Sequence, residues 1–589
     1  MSDQKNLIIA VILSIAVIMG FQFFYEYPRM AEEQARSEAL EAARAEKRAD
    51  QDASEAQAYA PVITPVPGAA GTAPVTPGSV AASLGDGVDK VVESVRLPVT
   101  SGRLKGSIAL TGARIDDLSL VDYRETIEPE SPQIVLLSPT GTEYPYYAEF
   151  GWILASGDAT KLPSRDTVWR TTDSGLSPGR PVRLSWDNGA GLTFTRTYML
   201  DEDYMFTVSQ QVTNRGSEPV ALYPFGLISR SGTPEVSKFV ILHEGVLGYL
   251  NEELVEEDYE DIQEEGPQKF SGTGGWLGIT DKYWLTTLVP QQDLPFTAAI
   301  NHSITSAGDR YQVDYMFEAQ QIPPGTSVEI SNHLFTGAKE VNLLESYETA
   351  LGISEFNLAI DWGYLRFLTQ PLFYVLKWLN AAVGNFGIAI LLLTVLIKLV
   401  FFPLANKSYT AMSKMRQLQP EITKLRERHK DDKQRMQQDM MALYKKEKVN
   451  PMAGCLPIVI QIPVFFALYK VLFVTIEMRQ APFFGWIQDL SAPDPLTVVN
   501  LFGLIPWDPP QMIAIGIWPL LMGASMFFQQ KLNPQPADPV QAKIFMFMPI
   551  MFTFLLASFP AGLVIYWTWN NVLSIAQQWV IMRRMGVKI

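Results

Sequence analysis

The chain has 589 residues, 47% of them hydrophobic, with a formal net charge of -15 and a single cysteine. That length exceeds what one hydrophobic core organises, and one cysteine excludes both an internal disulfide framework and cysteine-rich zinc sites. The charge is unevenly placed, with 22 Lys and Arg against 13 Asp and Glu in residues 354–589 but 25 against 49 in residues 1–353, so the two parts are built for different surroundings.

The opening run from Leu7 to Phe24 is apolar and long enough to cross a hydrocarbon layer of roughly 30 Å at about 1.5 Å per residue. A cleavable signal peptide competes with this reading, but it calls for small residues where Phe-Gln-Phe-Phe-Tyr stands, so residues 1–28 are expected to be a retained anchor with an aromatic outer belt. Residues 29–87 are alanine and charge, then Pro, Gly, Ala and Thr, the composition of a tether.

From 88 to 350 the pattern becomes short alternating runs, "VRLSW", "LTFTRTYML" and "YMFTVSQQV", punctuated by "DNGAG" and "NRGSEP". Such spacing without helical periods predicts a large antiparallel β-sandwich, extracytoplasmic and soluble. Its acidic stretch "NEELVEEDYEDIQEEGPQ" reads as a solvated loop. The four histidines, His243, His302, His333 and His429, are scattered with no pair at metal-ligand spacing, and neither a phosphate-cradling glycine loop nor a Gly-x-Ser-x-Gly elbow occurs. No catalytic residue, metal or cofactor is expected.

Residues 354–383 space apolar and aromatic residues at three and four, predicting an amphipathic helix at the membrane surface or one packed on the sandwich. Five apolar runs follow, at 386–404, 455–476, 512–530, 544–559 and 561–582, making six spans with the anchor. The loop 406–450 carries 12 Lys and Arg against 6 acids, whereas 477–510 carries one Arg against four acids. The bias of basic residues to the cytoplasmic side then places the sandwich outside and both termini inside.

Within the span 384–405, Lys398 lies about eight residues, roughly 12 Å of helix, from the cytoplasmic end. It either snorkels or faces protein and a wet cavity, since a charge at that depth costs a few kcal/mol. The remaining spans, 451–589, offer polar groups at similar depth: Gln461 between Pro457 and Pro463, and Tyr566 and Asn570 one turn apart on one face. No acid lies within the spans to neutralise Lys398, which counts against an ion pump. In the loop 406–450, Met412, Met415, Met440 and Met441 recur near helical spacing among Arg416, Arg426 and Arg428. That pattern reads as two helices broken near "RHKDDK", forming either a self-contained hairpin or a soft basic surface for apolar peptides or a ribosome.

The runs "SYTAMSKMRQLQPEITKLRERHKDDKQRMQQDMMALYKKEKVNPMAGCLPIVIQIPVFFALYKVL", "RQAPFFGWIQDLSAPDP" and "FPAGLVIYWTWNNVLSIAQQ" closely resemble the bacterial insertases of the YidC/Oxa family. The resemblance implies a polytopic α-helical membrane protein with a five-helix core and a large periplasmic β-sandwich, in the inner membrane of a Gram-negative cell. It also implies a hydrophilic groove open to cytoplasm and lipid, with Lys398 as the groove's positive residue and Thr394 one turn earlier. Gln461 and Tyr566 would face the groove and its substrate. The implied partners are nascent integral membrane proteins, the Sec translocon, the lipid bilayer and possible ribosome contact on the 406–450 loop. Many Gram-negative members have arginine where this chain has lysine, so a point charge rather than bidentate recognition is expected. A small-molecule transporter would instead show inverted repeats, which are absent, and a glycan-sensing role for the sandwich rests on analogy.

Overall fold

The computed structural model describes residues 94–586 apart from 155–159, 235–241, 306–307, 430–431, 448, 450–455, 503, 506, 508–513 and 534–538. The expected anchor at 1–28, the whole tether at 29–87 and the single Cys455 lie outside these residues.

The sandwich consists of two antiparallel sheets, one of ten strands and one of eight. The larger is centred on Val220–Ser231, flanked by Tyr146–Leu154 and Gly308–Phe317. The smaller is centred on Ser327–Ala338, between Trp284–Val289 and Met205–Asn214. The alternating runs of the sequence become strands Val182–Asp187, Leu192–Leu200 and Met205–Asn214. Their inward residues, Leu184, Phe194, Tyr198, Phe206 and Val208, are buried in the shared core.

The acidic stretch departs from the expected loop. Glu253–Asp258 pairs as a strand with Gly245–Leu250 and runs into helix α1, Tyr259–Glu265. The reason lies in Tyr259 and Ile262, three residues apart and both buried, with Tyr259 packed edge-on against Tyr311 at 4.6 Å. The acids are the outer face of an element whose inner face is anchored.

After the sandwich come α2 (Val341–Leu351), α3 (Arg366–Val383), α4 (Phe386–Val400), α5 (Phe402–Gln417), α6 (Gln419–Arg428) and α7 (Lys433–Lys446). The chain ends in α8 (Leu456–Val474), α9 (Ile517–Leu532), α10 (Pro539–Leu555) and α11 (Ala561–Arg584). Helix α3 is two-faced: Leu372, Phe373, Leu376 and Leu379 are buried while Phe367 and Trp378 are exposed, and it packs on α4 and α8. Among the described residues no single helix is both long and apolar enough to cross a membrane; α4 and α5 together are, but they bend by 71° at Phe401.

That bend changes the straight span drawn from the sequence. Pro403 has no N–H for the carbonyl of Leu399 and its ring crowds that turn, so the helix breaks and restarts at Phe402. Lys398 therefore sits in the last turn of α4 rather than about 12 Å inside a continuous helix. The expected break near "RHKDDK" separates α6 from α7, and a second break at Leu418 precedes Pro420, which occupies the first turn of α6.

Candidate functional site

Four helices meet around Lys398: α4 and α5 both pack against α11, and α8 against α5 and α11. Helix α11 carries a polar stripe at intervals of four. Tyr566, Asn570, Ser574 and Gln578 are 1%, 9%, 2% and 1% exposed, so in an otherwise apolar bundle this stripe faces neighbouring helices.

Lys398 donates from Nζ to Ser574 Oγ at 2.8 Å, and Ser574 in turn donates to the carbonyl of Asn570 at 2.8 Å. Among the described residues no carboxylate lies within ion-pair distance of Lys398. An ammonium has three donors, and the two left over face a cleft lined by Ile397, Phe401, Leu404, Ala405, Tyr409, Gln461 and Val464. The space is about 30 Å³, enough for a water or two by the criterion of about 10–15 Å³ each. It is too small for a polypeptide segment, so passage of a chain requires the helices to part.

Gln461 donates from Nε2 to the Tyr566 hydroxyl, joining α8 to the head of the stripe. Pro463, inside α8, leaves the carbonyl four residues earlier without its helical N–H, which loosens the backbone beside Gln461. Thr394 is 1% exposed and its hydroxyl returns to the carbonyl of Ile390 at 2.7 Å, so it is turned into its own helix rather than toward the cleft. Asn570 lies within the stripe with Oδ1 lacking a partner among the described residues.

The stripe has a direction. Beyond Tyr566 toward the start of α11 the packing turns apolar: Leu563, Ile565, Ile390, Leu393 and Leu490 are 2% exposed or less. The first free N–H groups of α11, on Ala561 and Gly562, bond the carbonyls of Ala492 and Leu490 at 2.7 and 3.0 Å, sealing that end. At the other end α11 finishes in Arg583 and Arg584. The polar stripe thus runs toward the basic end of the bundle, where Gln578 is buried and donates to the Leu532 carbonyl at 3.1 Å and to Asn533 Oδ1 at 3.2 Å.

Of the residues expected to form this site, Lys398, Gln461, Tyr566 and Asn570 are gathered on one interior. Ser574, the lysine's hydrogen-bond partner, went unrecognised in the sequence although it continues the spacing of four from Tyr566 and Asn570. Tyr409, across the bend on α5, also lines the cleft and does not stand out in the sequence, because only the 71° bend before Pro403 turns the first helix of the 406–450 stretch back against the bundle.

The methionine loop divides. Met412 is 8% exposed and packs with Tyr409 and Ile581, fastening α5 to α11. Met415 and Met440 are half-buried, and Met441 is 62% exposed. Arg416 donates to the carbonyl of Leu532 at 3.1 Å, Arg426 is half-buried and Arg428 exposed. Part of the expected docking surface is therefore internal packing.

Residues 96–375 match the model of the YidC periplasmic domain, and residues 378–588 that of the 60Kd inner membrane protein. The whole chain is 50% identical over 601 residues to the membrane protein insertase YidC of Methylobacterium radiotolerans, covering 96% of that protein. The chain belongs to the YidC family of membrane protein insertases. The same name is borne by a relative in Bradyrhizobium diazoefficiens, 50% identical over 607 residues, covering 100% of this chain and 97% of that one. Among solved structures, an active YidC insertase with its first transmembrane domain resolved is 18% identical, with a TM-score of 0.36, covering 85% of this chain and 96% of that one. YidC-family proteins are insertases of the inner membrane rather than enzymes, and the sandwich is the family's periplasmic domain.

Proposed function

We propose that this chain inserts newly made integral membrane proteins into the inner membrane by letting their short polar ends dwell beside Lys398 while their apolar segments slide along the lipid-facing helices. The observation that carries this reading is the lysine itself, held by a neutral hydroxyl beside a small cleft, with no carboxylate within ion-pair distance among the described residues. An unneutralised cation and water lower the cost of moving an acidic or polar residue part-way across, a cost of a few kcal/mol per charged group.

The reading includes crossings at the anchor 7–24 and at α4, α8, α9, α10 and α11, with both termini cytoplasmic, as the basic loop 406–450 favours. Helix α4 has 15 residues, about 22 Å at 1.5 Å per residue, short enough to thin the bilayer locally. Cooperation with the Sec translocon, and ribosome contact through Met441, Arg428 and their exposed neighbours, belong to the same proposal.

Reconstituted insertion, followed by protease protection of a single-spanning substrate with an acidic outer end, tests the charge. Lys398→Ala is expected to slow insertion roughly tenfold, equivalent to about 1.4 kcal/mol of barrier, while Lys398→Arg keeps most activity. Equal rates for the alanine and arginine variants would remove the charge from the mechanism.

A further inference from the structure

A second recess lies away from Lys398, on the outer surface of the bundle between α9 and α11. It is lined by Phe528, Lys531 and Leu532 of α9, by Val572, Ile575 and Trp579 of α11, and by Arg416 from the end of α5. Its volume is about 530 Å³, within the range of small-molecule sites, roughly 300–1,000 Å³. The wall is apolar and turned outward: Phe528 is 59% exposed, and Val572 and Trp579 are each 41% exposed. Val572, Ile575 and Trp579 stand at intervals of three and four, one strip along one helix.

Both cations sit at one end. Lys531 lies in the last turn of α9, and Arg416 donates one N–H to the Leu532 carbonyl at 3.1 Å, which fixes its guanidinium at the rim. Among the described residues neither pairs with a carboxylate. Trp579, with Arg583 over its ring at 5.3 Å, marks the depth at which helix meets headgroups. An apolar strip on an outward surface that the proposed crossings place in lipid, ending in two cations with no carboxylate partner among the described residues, matches in charge and polarity a molecule with a hydrocarbon tail and an anionic head. Water-soluble partners do not reach the strip, and a zwitterionic lipid leaves the cations uncompensated.

We infer that this recess binds an anionic glycerophospholipid of the cytoplasmic leaflet, its phosphate between Arg416 and Lys531 and an acyl chain along Phe528, Val572, Ile575 and Trp579. Basic recesses between helices at that face are a general mode of anionic-lipid recognition. The inference rests on the crossings and orientation proposed above, and not on the role given to Lys398. A bound lipid here would brace α5 against the α9–α11 pair.

The test is native mass spectrometry of the purified, delipidated full chain, titrated separately with phosphatidylglycerol, phosphatidylethanolamine and inorganic phosphate. The expected result is a preference of about thirtyfold for phosphatidylglycerol over phosphatidylethanolamine, the scale set by two surface cations at about 1 kcal/mol each. Arg416→Gln with Lys531→Gln abolishes that preference, Trp579→Ala weakens both lipids, and Lys543→Gln on the exposed side of α10 leaves binding as it was. Because Arg416 also holds the end of α9, the single variant Lys531→Gln is measured beside the double, with a partial loss expected at unchanged thermal midpoint. Retention of the full preference by Lys531→Gln and by the double variant would overturn the assignment. So would displacement of the lipid by equimolar inorganic phosphate, which would leave an anion site only. Loss of activity in Lys398→Ala with lipid preference intact separates the two proposals.

Discussion

Two buried charged groups in this chain meet different fates. Lys398 keeps a hydroxyl partner and faces a cleft of about 30 Å³, the setting in which the proposal above gives it a role. Asp314 in the sandwich is 0% exposed and accepts from Gln312 Nε2 at 2.8 Å and Asn301 Nδ2 at 3.2 Å, while its Oδ1 has no partner among the described residues. Burial pushes its carboxyl from 3.8 up to about 7. A carboxyl raised in the folded state holds a proton that the unfolded chain has released. Its contribution to stability is therefore present at pH 4 and below, falls as pH rises from about 4 to 7, and is flat above. Asp314→Asn should remove that slope, and the sandwich of the variant should gain on the parent between pH 5 and 8. Over that interval the ceiling is about 3 kcal/mol, two pH units of slope at about 1.4 kcal/mol each. Denaturant midpoints measured at both pH values check this, and parallel pH profiles for parent and variant would exclude it.

Helices α9, α10 and α11 approach through small residues. A Cβ on Gly523 of α9 would stand 2.0 Å from Thr553 Oγ1 of α10, and Asn571 of α11 donates to Ser525 Oγ of α9 at 2.9 Å. Gly523→Ala should separate α9 from α10 and cost about 1–3 kcal/mol. Adding Thr553→Ala should recover much of it, because the hydroxyl at fault is gone. The thermal inactivation midpoint in detergent reads both, and additive losses would deny the contact.

How much of this was legible beforehand differs by element. Strands such as Leu192–Leu200 announce themselves, because one face is buried and alternation of period two follows. The polar stripe of α11 was half visible: Tyr566 and Asn570 stand out, whereas Ser574 and Gln578 resemble ordinary helix-packing residues until Lys398 is placed beside them. The bend at Phe401 was missed because Pro403 lies in an apolar run whose composition continues unchanged. The strand and helix within the acidic stretch were masked by charge, since Tyr259 and Ile262 are few among many acids.

The sandwich and the bundle are joined by specific polar contacts. Asp361, ahead of α3, accepts from Lys470 of α8 at 2.6 Å and from the backbone N–H of His243 in the sandwich at 3.2 Å. Trp276 of the sandwich donates to the Ser354 carbonyl at 3.1 Å, and Arg479, after α8, reaches the carbonyls of Arg124 and Glu125. These contacts hold the acidic domain over the sealed end of the bundle, while Arg583 and Arg584 end the opposite side. The molecule is thus polarised, closed and acidic on one side and basic with a polar interior on the other, which suits a device that receives chains from the basic side. The claim is decided most directly by photocrosslinking in the full chain, with probes at Lys398, Gln461 and Tyr566 and stalled nascent membrane proteins of increasing length. Crosslinks at all three positions, first appearing when the substrate's apolar segment emerges, are the predicted result. Crosslinks confined to the sandwich or to the outer faces of α9 and α10, with none at these three, would contradict it.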